Sequence, residues 1–209
     1  MALATGLDWL ERSLLAVGTT LLVWTGLTSL EQSYFRRLPI PSEPGVAVKL
    51  SLPGDSPGER TAATISGTPA VEPGAWLARL DAASVGLTAT VLEGTDDATL
   101  RRAAGHIEGT AFPGDGAELG NVGIAGHRDT IFRPVRNLKL GDRLLLTTAD
   151  RVFEYRISET KVVNPSDVYV LDPTGRSMLT LVTCFPFNFI GNAPQRFIVQ
   201  AELVLERAR

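Results

Sequence analysis

The clearest alternation of apolar and polar side chains lies near the carboxyl end, over residues 196–205. Its apolar positions are Phe197, Val199, Ala201, Leu203 and Leu205. A period of two is typical of a β-strand with one face against a core. The run from Leu179 to Cys184 has the same strand-like character, so the sequence predicts two strands in this region.

Shorter apolar runs between turn residues predict further strands earlier in the chain. They are residues 76–80, 87–92, 121–126, 143–148, 152–157 and 161–163. The runs 143–148 and 152–157 lie on either side of Ala149-Asp150. This arrangement predicts a hairpin with Phe153, Tyr155 and Ile157 on one face. Thr95 is predicted to cap a brief helix that Gly105 ends. Many short strands with one short helix indicate an all-β domain, either a closed barrel or a sandwich.

The amino-terminal part has a different pattern, because residues 13–30 contain no charged side chain. As a helix these residues would be about 27 Å long at ~1.5 Å each, against a hydrocarbon layer of ~30 Å. Apolar residues occur on all sides, which favours lipid over a buried amphipathic helix. No small-x-small cleavage site follows, so the sequence predicts an uncleaved, single-pass transmembrane anchor. The flanking positive charges are nearly balanced and do not set its orientation.

Proline marks the boundary between this segment and the folded domain. Seven of the 13 prolines lie between Pro39 and Pro73, together with Gly and Ser. Such a composition is typical of a semi-extended linker. The sequence therefore predicts a cytoplasmic stub and anchor over residues 1–35, a linker over 36–74 and one folded domain over 75–209.

Composition narrows the class of protein. A chain with 44% hydrophobic and 21% charged residues is typical of a globular protein, which excludes disorder throughout. A net charge of −3, without clustered Lys and Arg, argues against nucleic-acid binding. One cysteine and two histidines argue against a zinc site.

Cys184 is the single cysteine and the last residue of a predicted strand. It cannot form a disulfide within the chain, which leaves inert packing, an intermolecular disulfide or a reactive thiol. A strand end lies at the rim of a sheet, where a side chain is both held and accessible. Cys184 shares its side of the strand with Val182 and Thr180.

Arg196 opens the last predicted strand, and 11 residues separate it from Cys184. If the two strands are neighbours, a connection of that length brings the guanidinium and the thiol to the same end of the sheet. A fixed cation there would favour a thiolate or a developing oxyanion. The alternative is a solvated surface arginine. The connecting residues FPFNFIGNAPQ are unusually apolar and would either border a groove or plug the end of a barrel.

His127 directly follows another predicted strand, residues 121–126, in the segment NVGIAGHRDT. A cysteine nucleophile needs a group that accepts a proton and returns it to a leaving amine, and imidazole does both near neutral pH. Asp129 would either orient this imidazole or cap a turn. His106 is the rival histidine.

Three segments together resemble the sortases, the cysteine transpeptidases of bacterial surfaces. They are GHRDT with His127, TLVTC with Cys184 and APQRFIV with Arg196. The resemblance covers residues 76–204, and GTDDATLRRAAGHIEGTAFPGDG, GNVGIAGHRDT and TCFPFNFIGNAPQRFIV are most like the class D branch. It implies a closed eight-stranded sortase-type β-barrel and a triad of His127, Cys184 and Arg196, with Thr183 supporting the site. His106 does not match the catalytic motif and is expected to be structural or supporting.

The resemblance also implies a function. A membrane-anchored sortase would cleave an LPxTG-like sorting signal through a thioacyl-enzyme on Cys184 and transfer the protein to an amine. Its partners would be surface proteins that bear a C-terminal sorting signal and an amine nucleophile such as a cell-wall precursor. The catalytic domain is expected outside the cytoplasm, without a cofactor or metal. The lid motif of class C enzymes is missing, so anchoring is expected rather than pilin polymerisation.

Other classes of protein fit the sequence less well. A membrane-tethered β-barrel binding module with a structural cysteine is the main alternative. An L,D-transpeptidase would have an SxGC motif followed by arginine, whereas Phe185 follows Cys184. A papain-like enzyme would have its cysteine on an N-terminal helix.

Overall fold

The structure is a computed structural model, and it describes residues 2–36, 39–40, 71–112, 120–189 and 191–209. Most of the predicted linker lies outside the described residues. The described part contains eight strands that close into a barrel in the order β1-β2-β3-β4-β7-β8-β6-β5. The strands are β1 (Trp76–Ala82), β2 (Leu87–Glu93), β3 (Ala104–His106), β4 (Asn121–Ala125), β5 (Arg143–Thr147), β6 (Arg151–Val163), β7 (Met178–Phe185) and β8 (Gln195–Ala208).

Strand pairing decides between the two predicted architectures. β1 pairs with both β2 and β5, which closes the sheet and excludes a sandwich. The β2–β3 and β4–β7 pairs are parallel, and the other pairs are antiparallel. The predicted closed eight-stranded barrel is therefore confirmed.

Side chains from alternating positions fill the barrel. The largest fully buried ones in the interior include Leu80, Val91, Ile124, Phe132, Leu144, Leu146, Leu179, Leu181 and Val199. The predicted inward face of Phe153, Tyr155 and Ile157 is buried. On β8 the predicted face continues inward as far as Leu203. Leu205 is 49% exposed instead, because the β6–β8 register shifts by one residue at this point and the alternation reverses.

The segment between β2 and β4 differs from the prediction. Helix α2 covers Asp97–Arg102, and its N-cap is Asp96 rather than Thr95. The Asp96 carboxylate accepts hydrogen bonds from the backbone of Ala98 and Thr99 and from the Thr99 hydroxyl. Gly105 does not end this helix but lies in β3, where a Cβ atom would approach the Gly94 carbonyl oxygen to 2.2 Å. The three-residue strand β3 is too short to give a periodic pattern, and sequence analysis missed it.

The connection between β6 and β7 covers the outer face of the barrel beside β7 and β8. It contains a 3₁₀ turn, Val168–Leu171, that sequence analysis also missed. Val170 in this turn packs in a small apolar cluster with Val163 and Ile198, and Leu171 and Val182 adjoin it. This packing makes the turn a wall beside the two strands that carry Cys184 and Arg196.

The predicted stub and anchor form one continuous helix, α1 (Ala2–Arg36). Of the helices that the structure describes, none is long and apolar enough to cross a membrane. The transmembrane helix predicted from the sequence is therefore not supported. Its uncharged run is short for a bilayer and is diluted by Gly18, Thr19, Thr20 and Gly26.

Candidate active site

Cys184 and Arg196 lie directly opposite each other on neighbouring strands. β7 and β8 are antiparallel, and the Cα atoms of these two residues are partners in the register. Opposite residues in an antiparallel pair point to the same side of the sheet, so thiol and guanidinium share the outer face. Both side chains are half-buried, which leaves them held by the sheet and accessible from outside.

The backbone around Arg196 holds its guanidinium in place. Nη1 donates to the carbonyl oxygens of Gln195, at 3.0 Å, and Ala193, at 3.3 Å. Both acceptors belong to the end of the β7–β8 loop or the start of β8, so the orientation of the guanidinium depends on that loop. A fixed guanidinium stabilises a thiolate or an oxyanion through charge-assisted hydrogen bonds.

His127 reaches the same edge of the barrel from β4. β4 and β7 are parallel, with Ala125 opposite Val182. The backbone N–H of Gly126 donates to the Val182 carbonyl at 3.1 Å, which continues this pairing past the end of β4. His127 follows Gly126 and lies just past the end of β4, beyond the last register pair with β7. The fold thus places Cys184 and Arg196 opposite each other on β7 and β8, with His127 just past the end of the neighbouring strand β4.

Thr183 supports this arrangement from the opposite side of β7. Its side chain is buried, and its hydroxyl donates to the Gly126 carbonyl at 2.7 Å. Because side chains alternate along a strand, this hydroxyl lies on the opposite face from Cys184. It therefore fastens the residue before His127 to the strand of the cysteine, and it does not face the thiol.

Asp129 is exposed, and within the described part of the chain no hydrogen bond joins it to the His127 ring. The main chain of His127 is held instead by Phe132, whose N–H donates to the His127 carbonyl at 2.9 Å. Phe132 also packs so tightly on Gly126 that a Cβ atom there would lie 2.7 Å from the ring. This contact explains the glycine that precedes the histidine.

His106 has a different environment from His127. Only 1% of it is exposed, and its Nδ1 lies 2.8 Å from a Glu93 carboxylate oxygen. Its Nε2 donates to the Ala111 carbonyl at 2.9 Å, and the ring stacks on Phe112 at 4.8 Å. A ring with both nitrogens bonded inside the protein has no access to a substrate. His106 is structural, as the sequence indicated.

The aromatic residues of the β7–β8 connection pack at the end of the barrel. Phe185, Phe187 and Phe197 form a three-ring cluster with centroids 5.4 to 6.3 Å apart. Phe197 points inward and adjoins the main core. Of the two predicted roles, the structure therefore favours a plug for the first part of this loop. Phe189, further along, is 44% exposed and is the residue that borders the outer surface.

Two arginines that sequence analysis did not single out hold the β7–β8 loop. Arg128, next to His127, donates from Nη2 to the carbonyl oxygens of Phe189 at 2.7 Å and Gly191 at 3.0 Å. Arg136 lies 3.4 Å from the Asn188 side-chain oxygen. Nothing in the local sequence identifies these contacts, because 52 or more residues separate the partners.

The sequence model of the sortase domain family matches residues 80–204 of this chain. The chain belongs to the sortase family. This sortase is 36% identical to Sortase D of Bacillus subtilis over 115 residues, which are 54% of this chain and 57% of the relative. It is 34% identical to Sortase SrtE1 of Streptomyces coelicolor over 156 residues, which are 66% of this chain and 43% of the relative.

Solved structures agree with these sequence matches. The Sortase D5 transpeptidase of Clostridium perfringens superposes with a TM-score of 0.57 at 34% identity, over 64% of this chain and 82% of that one. Sortase E1 of Streptomyces coelicolor, solved with a tripeptide in its active site, superposes with a TM-score of 0.59 at 32% identity. The match covers 65% of this chain and 92% of that one. The predicted resemblance to sortases, class D among them, is confirmed. The alignments span about half the length of the curated relatives.

Proposed function

We propose that this sortase is a cysteine transpeptidase in which Cys184 is the nucleophile, His127 the proton-transfer group and Arg196 the oxyanion and substrate-binding cation. The observation that carries this proposal is the pairing of Cys184 with Arg196 across β7 and β8, and the position of His127 just past the end of the neighbouring strand β4 supports it. Family membership supports the class of reaction. It also weighs against a binding module with an inert cysteine.

The chemistry follows from the residue types. The Cys184 thiol gives its proton to His127 as the sulfur attacks a peptide carbonyl carbon, and the Arg196 guanidinium stabilises the oxyanion that forms. Collapse of the tetrahedral intermediate breaks the C–N bond, and His127 protonates the departing amine. A second amine then attacks the thioester, His127 accepts its proton, and the Cys184 sulfur leaves. The new peptide bond replaces the old one. Water in place of the amine gives hydrolysis.

The proposal also specifies the two substrates of the reaction. We propose an LPxTG-like signal at the C-terminus of surface proteins as acyl donor and an amine, such as that of a cell-wall precursor, as acceptor. The resemblance of the three motifs to those of sortases supports this choice. Scanning a peptide library for acyl-enzyme on Cys184 by mass spectrometry identifies the accepted motif, and competing amines identify the acceptor.

An extracytoplasmic catalytic domain attached to the cell membrane is also part of the proposal. Its support is membership of the sortase family. Digestion of intact cells by an added protease tests the location, and carbonate extraction of membranes tests the attachment. Protection of the catalytic domain from the protease would contradict the extracytoplasmic location. Release of the protein by carbonate would contradict the attachment to the membrane.

Cys184→Ala provides the central test of the reaction. We expect no acyl-enzyme and no cleavage of a sorting-signal peptide, because the chain has no second thiol. Intact-mass spectrometry and peptide cleavage measure the two effects. Cleavage by the alanine variant at the unaltered rate would falsify the assignment. Circular dichroism of the variant, expected to be unchanged, shows that the fold is intact.

A further inference from the structure

Three polar side chains are buried on the outer face of the barrel, next to the proposed active site. Asn121 on β4, Thr180 on β7 and Gln200 on β8 are at most 7% exposed. Thr180 and Gln200 are register partners, and Asn121 lies on the adjoining strand. Burial of polar groups is costly unless they are hydrogen-bonded, so the partners of these side chains indicate why they are there.

The three side chains form one chain of hydrogen bonds. The Thr180 hydroxyl donates to Asn121 Oδ1 at 2.7 Å, which orients the amide. Asn121 Nδ2 then faces the carbonyl oxygens of Val170, at 3.1 Å, and Asp172, at 3.3 Å. Gln200 Nε2 donates to the same Val170 oxygen at 2.9 Å. The two amide groups therefore both donate to the 3₁₀ turn Val168–Leu171, and that of Asn121 also donates to the residue that follows it.

This turn lies beside Cys184 and Arg196. Along the outer face of β7 and β8, the pair Thr180–Gln200 is followed by Val182–Ile198 and then by Cys184–Arg196. The turn packs on the middle pair through Val170 and Leu171. Its other two side chains, Val168 at 66% and Tyr169 at 57%, are exposed. These two side chains form the exposed edge of the turn, and Lys161 Nζ lies 5.7 Å from the centre of the Tyr169 ring.

We propose that Asn121, Thr180 and Gln200 are positioning residues, which fix the turn Val168–Leu171 as a preformed wall for an extended apolar segment of the acyl-donor peptide. The proposal rests on the proposed function of this site. An apolar trio would pack the same face, but it would leave the Val170 and Asp172 carbonyl oxygens without these donors. A satisfied polar network specifies one position of the turn, and a preformed wall lowers the free energy of peptide binding.

Thr180→Val and Thr180→Ser form the matched pair that tests the proposal. Valine keeps the shape of threonine but removes the hydroxyl that orients Asn121, whereas serine keeps the hydroxyl. We expect Thr180→Val to raise the KM for the peptide about tenfold and to leave kcat nearly unchanged, since one buried hydrogen bond is worth a factor of this order. Thr180→Ser should restore KM. Gln200→Met, similar in volume, should act in the same direction and replaces Thr180→Val if that variant folds poorly.

Hydrogen exchange measures the turn independently of activity. The Asp172 amide donates to the Tyr169 carbonyl across the turn, so its exchange reports opening. We expect faster exchange there in Thr180→Val and not in Thr180→Ser. Unchanged exchange overturns the positioning role, and faster exchange with unchanged KM overturns the role of the turn as a substrate wall. A fall in kcat together with slower alkylation of Cys184 assigns Thr180 to the catalytic strand instead. If the unaltered enzyme cleaves no sorting-signal peptide, the proposed function fails, while the exchange result still decides the positioning role.

Discussion

At the scale of single residues, the proposed chemistry depends on where two strands place a thiol and a guanidinium. Cys184 and Arg196 are opposite each other in the β7–β8 ladder, so the distance between their Cα atoms is set by the sheet and not by a flexible loop. The side chain of Arg196 is oriented further by the Gln195 and Ala193 carbonyl oxygens. Its planar fork donates to these oxygens from one nitrogen and keeps the others for a substrate.

Arg196→Lys should therefore lose most of the activity. An ammonium group is a single point of charge and cannot bond both the loop carbonyls and an oxyanion in the same geometry. We expect kcat/KM to fall by about 10²-fold, the effect of losing one oxyanion donor. Steady-state cleavage of the peptide identified by the library scan measures it. A rate close to that of the unaltered enzyme would assign Arg196 to the surface.

At the scale of elements, the β7–β8 loop is held from the side of β4. Arg128 bridges two carbonyl oxygens of this loop, and its neighbour in sequence is His127. Thr183 joins β7 to the residue on the other side of the histidine. The segment 126–128 is thus bonded to the strand of the nucleophile and to the loop that leads to Arg196.

Arg128→Ala should loosen the loop, because both bonds come from one charged donor. A charge-assisted hydrogen bond of about 1.5 kcal/mol corresponds to roughly tenfold faster cleavage of the loop by a protease that samples its open form. Limited proteolysis with product identification by mass spectrometry measures this rate. Arg136→Ala is the matched control, with one longer contact to the same loop, and should change the rate less. Equal rates for the two variants would contradict the special role of Arg128.

Helix α2 supplies a prediction about pH. The hydrogen bond from the Thr99 hydroxyl, with those from the backbone, lowers the pKa of Asp96 below its ordinary value of 3.8. A carboxylate with a lowered pKa in the folded state stabilises the protein above the unfolded pKa, and this contribution is lost as pH falls through the folded pKa. Asp96→Ala should cost about 1 kcal/mol at pH 7. Thermal unfolding measures this cost as the difference in Tm between the unaltered protein and Asp96→Ala, and we expect the difference to be smaller below pH 3.8 than at pH 7. Asp97→Ala is the control, because its carboxylate does not cap the helix, and it should lower Tm less.

At the scale of the whole molecule, a buried pair joins the early strands of the barrel. Glu93 ends β2 and His106 ends β3, and their side chains are bonded at 2.8 Å while both are buried. His106 also bonds Ala111 in the segment that leads towards β4. Thr110 extends this network, since its hydroxyl accepts from the Gly123 N–H on β4. One histidine thus connects three strands without facing the proposed active site.

His106→Ala should destabilise the barrel and spare the reactive thiol. Removing one partner of a buried pair leaves the other unpaired, at a cost of about 3 kcal/mol, or roughly 10 °C in Tm. Calorimetry measures the loss, and below the melting transition the rate of Cys184 alkylation should stay unchanged. The double variant Glu93→Gln/His106→Ala should recover part of the stability. An unchanged Tm together with slower alkylation of Cys184 would place His106 in the catalytic machinery instead.

Sequence alone was sufficient for much of this molecule. The period of two in residues 196–205 and the runs between turns identified seven of the strands, at least in part. The motifs around His127, Cys184 and Arg196 led to the family and so to the closed barrel. These signals are local, because alternation and short motifs depend on neighbouring residues. The same kind of signal predicted a membrane span over residues 13–30, which the described helix α1 does not support.

Tertiary structure decided what depends on distant partners. β3 has no periodicity of its own and exists because β2 and β4 flank it. The turn Val168–Leu171 is held by polar side chains 30 to 51 residues away, and the β7–β8 loop by arginines 52 to 63 residues away. Whether Arg196 faced solvent or the thiol also depended on which strands became neighbours. Residue types therefore indicated the chemistry, and strand pairing determined that these residues meet, because register is a property of the closed sheet.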